Sequence, residues 1–151
     1  MTTGSISPAT IPHAAHGATE PAFARGAVGG PRALLRLEGA AVLVAACVAY
    51  AQLGGSWGWF AALFLVPDLS MLGYLAGPRA GAASYNAAHS YLAPALLAAL
   101  ALLFAAHALW LAAAISVAHI GFDRMLGYGL KYGTAFGDTH LGRVGFAQKN
   151  R

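Results

Sequence analysis

Four ionisable residues, Asp68, His89, His119 and Asp123, stand in stretches that are otherwise almost wholly apolar. Carboxylate oxygens and imidazole nitrogens are ligands for zinc, iron and manganese, and the same groups exchange protons. His119 and Asp123 are four apart and Asn86 and His89 three apart, so in helices each pair shares a face, with Tyr85 one turn before His89. Such pairs can ligate a metal, relay a proton, or hold one ligand by means of another. Glu38 adds a further carboxylate inside an apolar run. Asp138, Thr139 and His140 bring a carboxylate, a hydroxyl and an imidazole together beyond a glycine-rich stretch. The chain from Tyr128 to His140 extends to about 40 Å, enough to fold back, so Asp138 and His140 are candidates to complete a catalytic site.

Each residue also has a plainer reading. Asp123 can pair with Arg124, and Glu38 can be an interfacial carboxylate beside Arg36. Asp68 follows Pro67, where a small polar residue serves helix packing, and the two histidines can be neutral hydrogen bonders between helices. Asp138 can cap or turn the chain. His13 and His16, in a polar leader, read as solvated, and His107 as structural.

The elements that must position these groups follow from composition. The chain has 151 residues, 58% hydrophobic and only 9% charged, which excludes an ordinary soluble domain. Its net charge of +4 does not make it a nucleic-acid binder, because the basic residues flank apolar runs and form no stripe with aromatics between them. The single cysteine, Cys47, lies in an apolar run and can form no intrachain disulfide. Four blocks are long enough to cross a bilayer, which takes about 20 apolar residues each: 33–53, 57–76, 82–104 and 107–128. Glycine-rich breaks at 54–56 and 77–81 separate the first three, and the last break is the weakest, with only Ala105, Ala106, His107 and Ala108 between Phe104 and Leu109. The expectation is an all-α, polytopic membrane four-helix bundle in residues 31–130, with a disordered tail over 1–30 and a short cytoplasmic segment over 131–151. The small-x-small string at Ala49-Tyr50-Ala51 resembles a cleavage site, but the long leader, Glu38 and three further spans argue that the first helix is retained.

Arg25, Arg32 and Arg36 precede the first block, Arg79 lies between the second and third, and Arg124, Lys131, Arg143, Lys149 and Arg151 end or follow the fourth. This bias places both termini in the cytoplasm. Trp57 and Trp59 then lie at the outer interface, and Tyr128 and Tyr132 at the inner one. Lys131, among aromatic residues, is expected to meet lipid phosphate. With about 1.5 Å of rise per residue, Glu38 lies about 6 Å into the first helix and Asp68 about 13 Å from the end of the second. His89 lies about 10 Å into the third helix, and His119 about 7–13 Å from the end of the fourth. All four helices thus bring an ionisable group to the cytoplasmic half, where each should face protein or water because lipid exposure costs about 2.5–3.5 kcal/mol.

The strings HIGFDRMLGYGLKYGTAFGDTHLG, PDLSMLGYLAG and YNAAHSY resemble a family of small bacterial integral membrane proteins catalogued only as a domain of unknown function. The resemblance covers roughly residues 33–145 and implies the membrane fold, with no activity attached.

Three functions fit. The first is a metal-dependent membrane enzyme, a hydrolase acting on a lipid-like substrate, with zinc, iron or manganese at Asp68, His89, His119 and Asp123. In that reading Glu38, Tyr85 and Asn86 belong to the same polar cluster. The second is a proton or small-solute pathway, against which stands an outer half offering only Ser56, His107 and Ser116. The third is a non-catalytic membrane subunit, with the cluster pinning its helices. The partners considered are the lipid bilayer, a lipid-like substrate and a second copy of the chain, with the bacterial inner membrane as location.

Overall fold

The computed structural model describes residues 26–27 and 29–144. The polar leader with His13 and His16, and the basic residues Lys149 and Arg151, lie outside the described residues. The chain is mostly helical: α1 (Gly29–Gln52), α2 (Trp57–Leu63), a 3-10 helix (Val66–Ala76), α3 (Pro78–His89), α4 (Leu92–Phe104) and α5 (His107–Leu126). Among the described residues three stretches are long and apolar enough to cross a membrane: α1, Trp57–Ala76 and α5. The pair α3 and α4 passes the same test together, bent by 45°.

The bend corrects the expectation of one helix over 82–104. Pro94 is the third residue of α4. Its ring cannot donate to the carbonyl four residues back, that of Ser90, and would clash with it in a continuous helix. Ser90 accordingly turns extended, with φ −94° and ψ 151°, and His89 becomes the last residue of α3.

The second span changes character at Pro67. After the single helical stretch of α2, eleven residues run as a 3-10 helix with Pro67 at its start and Asp68 in its first turn. Runs of this kind beyond three or four residues are uncommon and mark strain or function. α3 packs on this helix, and the Ser84 hydroxyl donates to the Ser70 carbonyl at 2.7 Å between them.

α5 is the central helix, with both α1 and α4 packed along it. It crosses α1 at Gly39 and Gly121, where a Cβ on either residue would collide with the other helix's backbone. Small residues at such a crossing are what helix association in lipid requires. The tight link between α4 and α5 is made by Ala105, in the left-handed region at φ 49°, and Ala106, whose N–H reaches back to the Ala101 carbonyl. α5 ends where Gly127 adopts φ 94°, with Gly127 N–H donating to Arg124 O and Tyr128 N–H to Asp123 O, the paired bonds of a Schellman ending.

Beyond Gly127 the chain forms a folded cap, against the expectation of a purely helical protein with a simple trailing segment. Asp138–Thr139 pairs antiparallel with Gly142–Arg143, and Lys131 bridges to Thr139. Leu141 and Thr139 are buried. Ala27 N–H donates to the His140 carbonyl, so the chain entering α1 is tied to the same cap.

Candidate functional site

Asp68, His89 and His119 arrive from three elements, the 3-10 helix, α3 and α5. Their side-chain atoms converge: His89 Nε2 is 3.1 Å from His119 Nε2 and 3.3 Å from Asp68 Oδ1, and His119 Nε2 is 3.6 Å from Asp68 Oδ1. Asp123 adds Oδ2 at 3.6 Å from His89 Nε2. Ligands held about 2.1 Å from a common ion stand about 3.0–3.4 Å apart for right-angle to tetrahedral geometry; the separations of 3.1 and 3.3 Å fall in that range, and the 3.6 Å between His119 Nε2 and Asp68 Oδ1 lies just above it. Both histidines are buried, and the Asp68 side chain keeps 31% of its surface open.

The surroundings fix the ring of His89. Its Nδ1–H donates to the Tyr85 carbonyl at 3.0 Å, which leaves Nε2 with a lone pair aimed into the cluster. A backbone acceptor on the far ring nitrogen is the usual support for a metal-ligating histidine. The Tyr85 ring stacks on the imidazole at 3.7 Å between centroids, and its hydroxyl donates to Asp123 Oδ2 at 2.8 Å. The His119 ring meets Phe64 edge-on, the last ring of a chain that runs from Tyr50 through Phe60 to Phe64. His119 Nδ1 is buried and has no hydrogen-bond partner. Without a cation between them, the two Nε2 atoms would have to share one proton at 3.1 Å beside a carboxylate. Two imidazoles and a carboxylate form a donor set suited to zinc, iron(II) or manganese.

The break after His89 is held by the same site. Its carbonyl, released from helical bonding, accepts from Arg124 Nη2 at 3.2 Å, and Arg124 Nη1 donates to the Tyr128 carbonyl at 2.9 Å. The α5 ending, the α3 end and the start of the cap therefore meet at Arg124.

A family profile described as a domain of unknown function (DUF4260) matches residues 32–144. The chain belongs to this family. No curated protein and no solved structure matches it. The matched region runs from the fourth residue of α1 through the cap, so the converging side chains and the cap both belong to the family's domain.

The other residues singled out in the sequence lie elsewhere. Glu38 lines a separate cavity with Arg124 and His140. Asn86 turns to the cap, its Nδ2 donating to the Lys131 carbonyl at 2.8 Å and its Oδ1 accepting from the Lys131 N–H at 2.7 Å. Asp138 accepts from the Thr134 hydroxyl at 2.8 Å, and His140 Nδ1 accepts from the Leu130 N–H at 2.8 Å. Both are built into the cap and are not among the three converging residues.

Sequence reasoning misplaced Lys131. It does not reach out to lipid phosphate: it is buried, its Nζ donates to the Phe136 carbonyl at 3.1 Å, and it sits 3.3 Å from the Phe136 ring centroid and 4.6 Å from that of Tyr85. Burial pushes its amine down to about 8, while the charges of Asp123 and Asp68 pull the other way. The signal available in the sequence was the surrounding Tyr74, Tyr85 and Phe136, which form a cation–π enclosure as readily as an interfacial belt.

Proposed function

We propose that this chain is an integral membrane protein of four crossings, a bundle in the bacterial inner membrane with both termini cytoplasmic. In this reading it holds a divalent metal ion at Asp68, His89 and His119 and hydrolyses a lipid-like substrate there. The observation that carries the reading is the convergence of His89 Nε2, His119 Nε2 and Asp68 Oδ1 within 3.6 Å, with the far nitrogen of His89 bonded to a backbone carbonyl. The orientation rests on the arginines at the cap end, and the fourth crossing is the bent pair α3 and α4.

A bound zinc, iron or manganese ion would polarise the scissile carbonyl or phosphoryl group and acidify water. Asp123, oriented by the Tyr85 hydroxyl, is placed to accept the proton of the attacking water. Water would add to the carbonyl carbon or the phosphorus, the ester C–O or P–O bond would break, and an acid and an alcohol would leave. A cavity of about 370 Å³ is lined by chain neighbours of the cluster, among them Leu63, Pro67, Ser70, Ala88, Ile115 and Ser116, and by none of the cluster residues themselves. Pro67 precedes Asp68, Ala88 precedes His89, and Ile115 lies one turn before His119. An apolar chain held in this cavity would lie against residues next in sequence to Asp68 and His89, and this supports a lipid-like substrate.

The deciding experiment is elemental analysis of detergent-purified protein, with hydrolysis of ester-linked amphiphiles measured on the same samples. The expected result is about one equivalent of zinc, iron or manganese in wild type, lost with activity in His89→Ala and His119→Ala. Stoichiometric metal with no hydrolysis would leave a metal-binding subunit. Protein that folds and contains no metal when purified without chelator would sink the reading, and the cluster would then be a structural pin.

A further inference from the structure

On the opposite side of α5 from the metal cluster's cavity, two cavities meet at Tyr91. The first, of about 240 Å³, lies at the arginine-rich end and is lined by Leu35, Glu38, Val42, Arg124, His140 and Leu141, with Tyr91 and Gly39 completing it. The second, of about 410 Å³, is lined almost wholly by apolar groups, among them Ala49, Leu53, Ala98, Trp110 and Ala114, and again by Tyr91. On α1 the two cavities follow one stripe: Leu35, Gly39 and Val42, then Ala46, Ala49 and Leu53. On α5 they follow another, Arg124 and then Val117, Ala114 and Trp110. They therefore lie end to end along the same faces of α1 and α5, with Tyr91 as their common wall, and together make a groove that is polar at one end and bounded by α4 only at the other.

The polar end has fixed chemistry. Because His140 Nδ1 accepts the Leu130 N–H, the neutral ring carries its proton on Nε2. Arg124 is anchored by its two carbonyl acceptors, Tyr128 and His89, and brings a permanent positive charge. On the same face of α1, outside the lining of this cavity, Arg32 buries its Nε without a hydrogen-bond partner among the described residues. These are donors for an anionic group, and Glu38 beside them is an acceptor for a cationic one. The apolar part runs along α1 from Val42 to Leu53, about 17 Å, close to the ~15 Å half-thickness of a bilayer's hydrocarbon core.

We infer that this groove binds one glycerophospholipid with an amine-bearing zwitterionic headgroup, its phosphate at Arg124 and His140, its ammonium at Glu38 and one acyl chain along Ala46, Ala49 and Ala114. The site is separate from the metal cluster and does not depend on it. It is joined to it through Arg124, which holds the His89 carbonyl, so a headgroup seated on this guanidinium bears on the end of α3.

Native mass spectrometry of delipidated protein in non-ionic detergent tests this, using phosphatidylethanolamine and phosphatidylglycerol with identical acyl chains. Wild type is expected to retain one phosphatidylethanolamine about tenfold more tightly than phosphatidylglycerol, the value of one charge-assisted hydrogen bond. Glu38→Gln is expected to erase that preference while still binding both lipids. Ala114→Phe, which fills the groove, is expected to lose both, and Ala49→Leu serves the same purpose if the first variant does not fold. Equal retention of the two lipids by wild type, or undiminished binding by the folded groove variants, overturns the assignment. A lipid-free dimer overturns it too, and gives the groove to a second copy of the chain.

Discussion

Asn86 and Lys131, 45 residues apart, exchange two hydrogen bonds between the asparagine side chain and the lysine main chain, at 2.7 and 2.8 Å. The carboxamide acts as a short piece of strand, meeting one N–H and one C=O of a segment with no neighbour on that side. This clamp places Lys131 beside Tyr85, and Tyr85 carries Asp123 and stacks on His89. The cap is thereby coupled to the cluster through one helix turn of α3.

Asn86→Ala removes both bonds and leaves two main-chain groups without their partner. The expected cost is about 1–3 kcal/mol to closure of the cap. Amide hydrogen exchange should show faster exchange at residues 130–141, with protection of α5 unchanged. Equal protection of the cap in wild type and variant would show that the clamp contributes nothing.

Lys131 gives the cap a pH signature. With its amine pushed down to about 8 in the folded protein, an unfolded chain keeps its proton up to about 10.4. Between these values the unfolded state binds more protons, so stability rises with pH across that window and the term is flat below about 8. Denaturant midpoints from pH 7 to pH 10 should rise in wild type relative to Lys131→Met, whose side chain has nothing to titrate. Parallel profiles for the two proteins would refute the assignment.

The apolar stretches were legible because lipid imposes a length, and the breaks at 54–56 and near 77 follow from glycine and proline; depths reckoned from α-helical rise do not carry over to Asp68, which stands on a 3-10 helix of longer rise. The break at Ser90 was missed, because apolar composition continues across it and outweighs the sign that Pro94 gives against a continuous helix. The cap was not legible. Its clamp joins residues 45 apart, and a sequence pattern does not say which carboxamide will meet which main chain. For the same reason the bonds that Asp138 and His140 take from Thr134 and Leu130 within the cap were not legible. Lys131 among aromatic rings fits an interfacial belt and a buried enclosure equally well, and only the fold of the cap decides between them.

Ala105 ends α4 in the left-handed region at φ 49°, where a Cβ is disfavoured. Ala105→Gly should remove that strain at the cost of a looser unfolded chain, for a net gain of about 0.5–1 kcal/mol. The measurable result is a higher thermal midpoint with metal content unchanged. A lower midpoint would mean that the methyl group has a packing role outweighing the backbone strain.

Metal removal gives the last test, because it reads the cluster without any substrate. A ligand present at about a hundredfold over its dissociation constant adds about 2.7 kcal/mol to the folded state, worth roughly 5–10 °C in a chain of this size. Chelation of wild type should lower the midpoint by that amount, and adding back the lost metal should restore it. His119→Ala should respond to neither treatment, since the ion has lost a ligand on α5. Asp68→Asn keeps the shape of the side chain and removes its charge, so it should weaken metal retention and shrink the chelator response without unfolding the protein. If His119→Ala instead unfolds at all metal concentrations while chelator leaves wild type untouched, the pair His89 and His119 is holding α3 to α5 by its own hydrogen bond, and the cluster is architecture.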